Sequence, residues 1–185
     1  MVKPIPDGYS SITPYLIFED ANAAIDFYAK ALGAQELFRM PMGNRIMHAE
    51  LQIGNSRIML ADENPQMDAH GPKHHTGSPV SLMLYVDDVD SFTKKAVATG
   101  LKVLRPVVNQ FYGDRSGTFL DPFGYKWTIG THVEDVSPEE MDTRMASLTA
   151  GQPLAVLVRK NGLGPGTMVP VAGAPPNANG GWHPS

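Results

Sequence analysis

One order of elements occurs twice in this chain, and that repetition constrains the fold more than any other feature. A strand-like run over residues 12–18, broken near its start by Pro14, is followed by Asp20, a residue suited to cap a helix. A helix is predicted over 21–32, where Ala24, Ile25, Phe27, Tyr28, Ala29 and Leu32 recur at helical spacing, and Gly33 closes it. Three further strand-like runs cover 34–39, 45–53 and 57–61, with Gly43-Asn44 and Gly54-Asn55 as the turns between them. The same order then restarts. A strand over 80–86, a cap at Asp88, a helix over 89–99 with Phe92 and Val97 as apolar residues, and Gly100 lead to strands over 101–105, 117–120 and 125–130. A shift of 68 positions lays Thr13 on Ser81, Ile17 on Tyr85, Phe18 on Val86 and Asp20 on Asp88. The reading is an α+β chain of paired βαβββ modules.

The last strand grows out of Asp121-Pro122-Phe123-Gly124, where Pro presets φ at a central turn position and Gly tolerates positive φ. On that strand Tyr125, Trp127 and Ile129 share one face, while Lys126 and Thr128 share the other.

These elements divide the chain into an N-terminal arm (1–10), a first module (11–62), a linker (63–79), a second module (80–135), a helix (136–150) and a tail (151–185). The helix opens on Ser137-Pro138-Glu139-Glu140, with Ser as cap, and is expected to run to about Leu148. Residues 153–158 can form one more strand. The remainder of the tail is rich in Gly, Pro, Ala and Asn and is read as flexible, with Trp182 and His183 as isolated features or as a contact for a partner. A formal charge of −4, with scattered lysines and arginines, gives no basic surface, so no nucleic-acid partner is expected. The absence of cysteine excludes disulfides and thiolate sites. No apolar run reaches the roughly 20 residues of a membrane helix, and the first residues lack a signal peptide's apolar segment, so no membrane association and a cytoplasmic location are expected.

The two modules, together with Asp26-Phe-Tyr-Ala-Lys-Ala-Leu-Gly33, His48-Ala-Glu-Leu51 and Asp121-Pro-Phe-Gly-Tyr125, resemble the glyoxalase, bleomycin-resistance and dioxygenase superfamily, also called vicinal oxygen chelate. Ile12-Thr-Pro-Tyr15 and Met47-His-Ala-Glu-Leu51 are similar to its PhnB-like branch. The resemblance spans about residues 10–135. It implies a mixed sheet curled around a cavity in each module, usually within a homodimer, and a small-molecule ligand. In enzymes of that superfamily four side chains hold a divalent metal, and the matching positions here are Thr13, Glu50, Ser81 and Thr128. The resemblance would allow zinc, nickel, iron or manganese. Glu50 alone is a strong ligand among the four, so a complete metal centre, and a glyoxalase I reaction, are not expected. Binding or sequestering a small organic molecule is the reading this set favours.

His48 lies two residues before Glu50 on one strand, so the two share a face. Such a pair can donate two metal ligands or serve as a general base in a lyase, isomerase or dioxygenase; it can equally be a hydrogen-bonded polar pair. His70, His74 and His75 can bind metal or simply be solvated. Phe38 and Met40, and Ser81 with Met83 and Tyr85, can line an apolar pocket or belong to a core. Tyr112-Gly-Asp-Arg115 is placed in a loop before the strand at Gly117, where Tyr112 can contact a ligand and Arg115 can clamp a carboxylate or phosphonate, or pair with Asp114 or another surface acid.

Overall fold

The computed structural model describes residues 2–149. Contacts divide the chain into Met1–Val136 and Ser137–Ser185. The first unit holds β1 (Tyr15–Phe18), α1 (Ala21–Leu32), β2 (Gln35–Met42), β3 (Arg45–Ile53), β4 (Ser56–Asp62), β5 (Ser81–Tyr85), α2 (Val89–Thr99), β6 (Lys102–Asn109), β7 (Asp114–Leu120) and β8 (Lys126–His132). Of the second unit, α3 (Pro138–Thr149) is described, and Ser137 Oγ accepts from the Glu140 N–H at its start. The expected strand over 153–158 and the tail with Trp182 and His183 lie outside the described residues.

The strands form two four-stranded mixed sheets with one topology, β1-β4-β3-β2 and β5-β8-β7-β6, in which the first strand of each module runs parallel to its fourth. The repeated βαβββ order is therefore a repeated sheet. Both helix starts are capped as the sequence indicates: the Asp20 carboxylate accepts from Ala23 N–H at 2.9 Å and that of Asp88 from Ser91 N–H at 3.1 Å. Gly33 ends α1 at φ 69°, a left-handed conformation that a Cβ disfavours. Helix α1 buries Ala21, Ala24, Ile25, Tyr28, Ala31 and Leu32, whereas the expected Ala29 faces outward. On α2 the inward positions are Val89, Thr93 and Ala96; Val97 is exposed, and Phe92 is half-buried.

Several boundaries differ from expectation for identifiable reasons. The first ladder begins at the Pro14 carbonyl, which accepts from Met59 N–H at 2.9 Å, so β1 is shorter than the 12–18 run. Strands β2 and β6 continue through Pro41 and Pro106, each at a register shift on a sheet edge, where a missing N–H breaks no essential ladder. The 63–79 segment is not featureless: Pro65–Met67 forms a short 3-10 turn capped by the Asn64 side chain.

The modules meet around the Asp121 turn. Asp121 is 3% exposed, and its carboxylate accepts from Phe123 N–H (3.0 Å), Tyr125 N–H (2.8 Å), Tyr28 Oη (2.6 Å) and Trp127 Nε1 (3.1 Å). Burial pushes this carboxyl above its ordinary pKa while those four donors pull it down. Phe18, Tyr28, Phe123, Tyr125 and Trp127 pack around it, with centroid separations of 5.3 Å for Phe18–Phe123 and 5.5 Å for Tyr28–Trp127. As the alternation predicts, Tyr125, Trp127 and Ile129 are buried, Lys126 is exposed, and Thr128 faces the other side of the sheet.

Candidate functional site

Each sheet packs one face against the core and leaves the other open. On the first sheet the open face carries Tyr15, Met59, Glu50 and Phe38 in register across β1, β4, β3 and β2. His48 stands on the same face, its Nε2 3.3 Å from Glu50 Oε1, as the alternation of β3 requires. With its proton on Nε2, His48 donates to Glu50 and accepts at Nδ1 from Tyr15 Oη at 2.9 Å. The other Glu50 oxygen accepts from the hydroxyl of Tyr9, brought there by the N-terminal arm. Tyr9 holds the Glu50 carboxyl below its ordinary pKa, the contact with His48 acts in the same direction, and partial burial opposes both. The same hydrogen bond raises the Tyr9 hydroxyl. Phe38 lies beside this network, its ring centroid 6.1 Å from that of His48.

The N-terminal arm, the β3–β4 turn and β5 enclose a cleft of about 470 Å³. Thr13, Met83 and Tyr85, three of the candidate residues, line it together, along with Arg57 and Trp127. Its size is that of a small-molecule site, and its walls mix polar and apolar groups. Ser81 and Thr128 lie outside the cleft lining, although Thr128 is the register partner of Met83.

At the other end of β5, Tyr85 Oη donates to Asp114 Oδ2 at 2.8 Å. Asp114 is buried, and its second oxygen meets His132 Nδ1 at 2.8 Å, while His132 Nε2 meets Asp135 at 3.0 Å. Asp114, then Asp135, raise the His132 pKa; Asp114 raises that of Tyr85. The expected loop placement of Asp114 and Arg115 is corrected, because β7 begins at Asp114 and pairs it with His132. Tyr112 remains in the short connection. Arg115 is engaged bidentately by Asp90 of α2, at 2.6 and 2.7 Å, and by Asn109 at 3.0 Å; its partner is thus another surface acid, not Asp114.

Register relates the two modules differently from the fourfold correspondence that the resemblance implies. Met83 on β5 lies opposite Thr128, and the equivalent Tyr15 on β1 lies opposite Met59, so Met59 matches Thr128. Glu50, one strand further, matches Thr118, which is the β7 partner of Thr128. By the internal symmetry the four places hold Thr13, Met59, Ser81 and Thr128, none of them a carboxylate or imidazole. Among the described residues no group of three or more His, Cys, Asp or Glu side chains is arranged to hold an ion. The donor set does not fit a four-ligand centre. In the 70–75 segment, the His70 and His74 rings stack at 3.8 Å and 9°, which directs their in-plane lone pairs along parallel planes.

Sequence reasoning missed Tyr9, Tyr15, Arg57, Asp114 and His132. For two of them a signal existed: Tyr15 shares strand parity with Thr13, and Arg57 shares it with Met59.

The sequence model of the family described as Glyoxalase/Bleomycin resistance protein/Dioxygenase superfamily matches residues 11–129. An uncharacterized protein of Mycobacterium bovis is 38% identical over 141 residues, covering 74% of this chain and 93% of the relative. Among solved structures, TioX from Micromonospora sp. ML1 superposes with a TM-score of 0.54 at 22% identity, covering 69% of this chain and all of that one. A PhnB protein from Bacillus cereus gives 0.52 at 18% identity, covering 66% and 99%. These two likenesses are of fold. The doubled βαβββ topology, the Asp121 turn and the match over both modules lead to one assignment: the chain belongs to the glyoxalase/bleomycin resistance protein/dioxygenase superfamily.

Proposed function

We propose that this protein binds a small organic molecule in the cleft between the N-terminal arm, the β3–β4 turn and β5, in the manner of a bleomycin-resistance protein and without a complete metal centre. The observation that carries this reading is the cleft itself, about 470 Å³ with Thr13, Met83 and Tyr85 on its walls; His48 and Glu50, whose ring nitrogens and carboxylate oxygens are all engaged with neighbours, lie outside its lining. A thermal-shift screen of small organic compounds tests it: stabilising compounds should lose their effect in Met83→Lys, which places a charge in the lining. Compounds that stabilise both proteins equally would place binding elsewhere.

We take the working form to be a homodimer. Phe38 and Met40 are 45% and 50% exposed on the first sheet, and Met83 and Tyr85 are 42% and 59% exposed on the second. Apolar faces of this extent call for a cover, and a second copy supplies one matched to both. Pro41 and Pro106 leave the two edge strands without an N–H at those positions, so the second copy covers faces rather than extending a sheet. No described helix is long and apolar enough to cross a membrane, and a cytoplasmic setting is the one we assign.

One observation favours a second reading. His48 and Glu50, 3.3 Å apart on an open face, are two donors that a lyase, isomerase or dioxygenase of this superfamily could build a rearranged divalent site upon. Alanine at either position should then abolish both metal retention and turnover; unchanged metal content would remove this reading.

A further inference from the structure

The cleft lining contains one cation, Arg57, whose surroundings differ from those of the ion-paired basic residues elsewhere. Arg39 is paired with Glu36, Lys73 with Glu19 and Arg115 with Asp90. Arg57 is half-buried, its Nε is buried without a hydrogen-bond partner, and it forms no ion pair within 4.0 Å among the described residues. Its guanidinium lies over the Tyr9 ring, 4.5 Å from the centroid. The carboxylate whose field it feels is Glu50, and both oxygens of Glu50 are taken by Tyr9 and His48. A buried Nε–H without an acceptor is unfavourable unless something supplies one.

The N-terminal arm also approaches it closely. The arm crosses directly above it: a Cβ on Gly8, which has φ 82°, would sit 2.4 Å from Arg57 Nη2. Tyr9 and Gly8, neighbours on the arm, both lie against the guanidinium, and Ser56, Ile58 and Leu84 share its cleft lining. A planar guanidinium fork with an unpartnered Nε beside an apolar wall suits an oxyanion attached to an organic body.

Resting on the reading of the cleft as a ligand site, we infer that Arg57 is its anion anchor, and that the ligand class is a small organic acid carrying one carboxylate or phosphonate on an apolar body. Arg115, the arginine that sequence suggested for this role, is occupied by Asp90 and does not line the cleft.

The experiment is a calorimetric titration of the full chain with benzoate, phenylphosphonate and the neutral benzyl alcohol, using wild type, Arg57→Met, Arg57→Lys and Arg115→Gln. Wild type should bind at least one anion about tenfold or more tightly than benzyl alcohol, the scale of a charge-assisted hydrogen bond. Arg57→Met should lose that preference while keeping its affinity for benzyl alcohol, which also reports that the cleft is folded. Arg57→Lys should bind the anion several-fold more weakly than wild type, and Arg115→Gln should match wild type. Should Arg57→Met fail to fold, Arg57→Lys decides, and wild-type affinity there overturns the proposal. An anion preference that survives in Arg57→Met overturns it too. Equal wild-type affinity for all three probes overturns the anion anchor and leaves the cleft reading standing, whereas no binding of any probe counts against both. The two anions separate carboxylate from phosphonate as the ligand head.

Discussion

Tyr28 Oη donates to Asp121 Oδ2 at 2.6 Å, which ties the helix of the first module to the β7–β8 turn of the second inside a buried aromatic cluster. Both Asp121 oxygens accept two hydrogen bonds each, and every partner is a donor. Only a carboxylate can satisfy such a set.

Asp121→Asn is therefore expected to be destabilising, since it turns an amide N–H toward donors that have no other acceptor there. The loss should be about 2–3 kcal/mol in urea unfolding, and Tyr28→Phe, which removes one bond to the charge, should cost about 1.5–3 kcal/mol. An Asn variant as stable as wild type would show that the carboxylate is not what holds the turn.

This junction was legible in the sequence only as a local object. Asp121-Pro-Phe-Gly announced a turn, Tyr125 to Ile129 announced an alternating strand, and Asp20, Asp88 and Gly33 announced helix ends, because each of those signals is short-range. That Tyr28, 93 positions away, completes the Asp121 shell depends on how the modules pack. The candidate site divides the same way. His48 and Glu50 were visible from strand parity, while Tyr9 reaches Glu50 through the arm and Arg57 is defined by what stands over it. Asp114 reads as loop because a run such as Asp-Arg-Ser-Gly has no apolar alternation; its strand character comes from pairing with the end of β8.

The Tyr9–Glu50 contact gives a pH signature. The Glu50 pKa is lowered on folding, so its contribution is present above the ordinary glutamate value near 4.3 and is lost as pH falls through the lower folded value. The Tyr9 pKa is raised, so its contribution holds below about 10 and is lost as pH rises further. Tyr9→Phe should cost about 1 kcal/mol between those limits, and the gap from wild type should close at both ends. Melting temperatures measured across pH check this, and a gap independent of pH would contradict it.

His132 predicts the opposite slope near neutrality. Its pKa is raised by Asp114 and Asp135, so the stability it contributes is full below the ordinary histidine value near 6.5 and is lost as pH rises through the higher folded value. His132→Gln should flatten that part of the pH–stability profile. An unchanged slope would mean that the Tyr85–Asp114–His132 chain carries no proton-linked energy.

For the dimer, sedimentation analysis of the full chain should give twice the 20.0 kDa chain mass. Met40→Lys puts a charge on the open face of the first sheet and should shift the population toward monomer while leaving the fold intact by circular dichroism. A wild-type monomer at micromolar concentration would contradict the second-copy assignment.

Ligand binding in the proposed function belongs to the cleft and does not run through a metal centre. The direct measurement is the affinity of a cleft ligand, taken from the thermal-shift screen, before and after exhaustive treatment of the protein with chelator, with metal content determined on the same samples. Cleft binding without a metal should give one affinity in both states. Binding that disappears on chelation, returns with a divalent metal, and cannot be restored in Glu50→Ala would contradict it and make the His48–Glu50 pair the centre of the protein's chemistry.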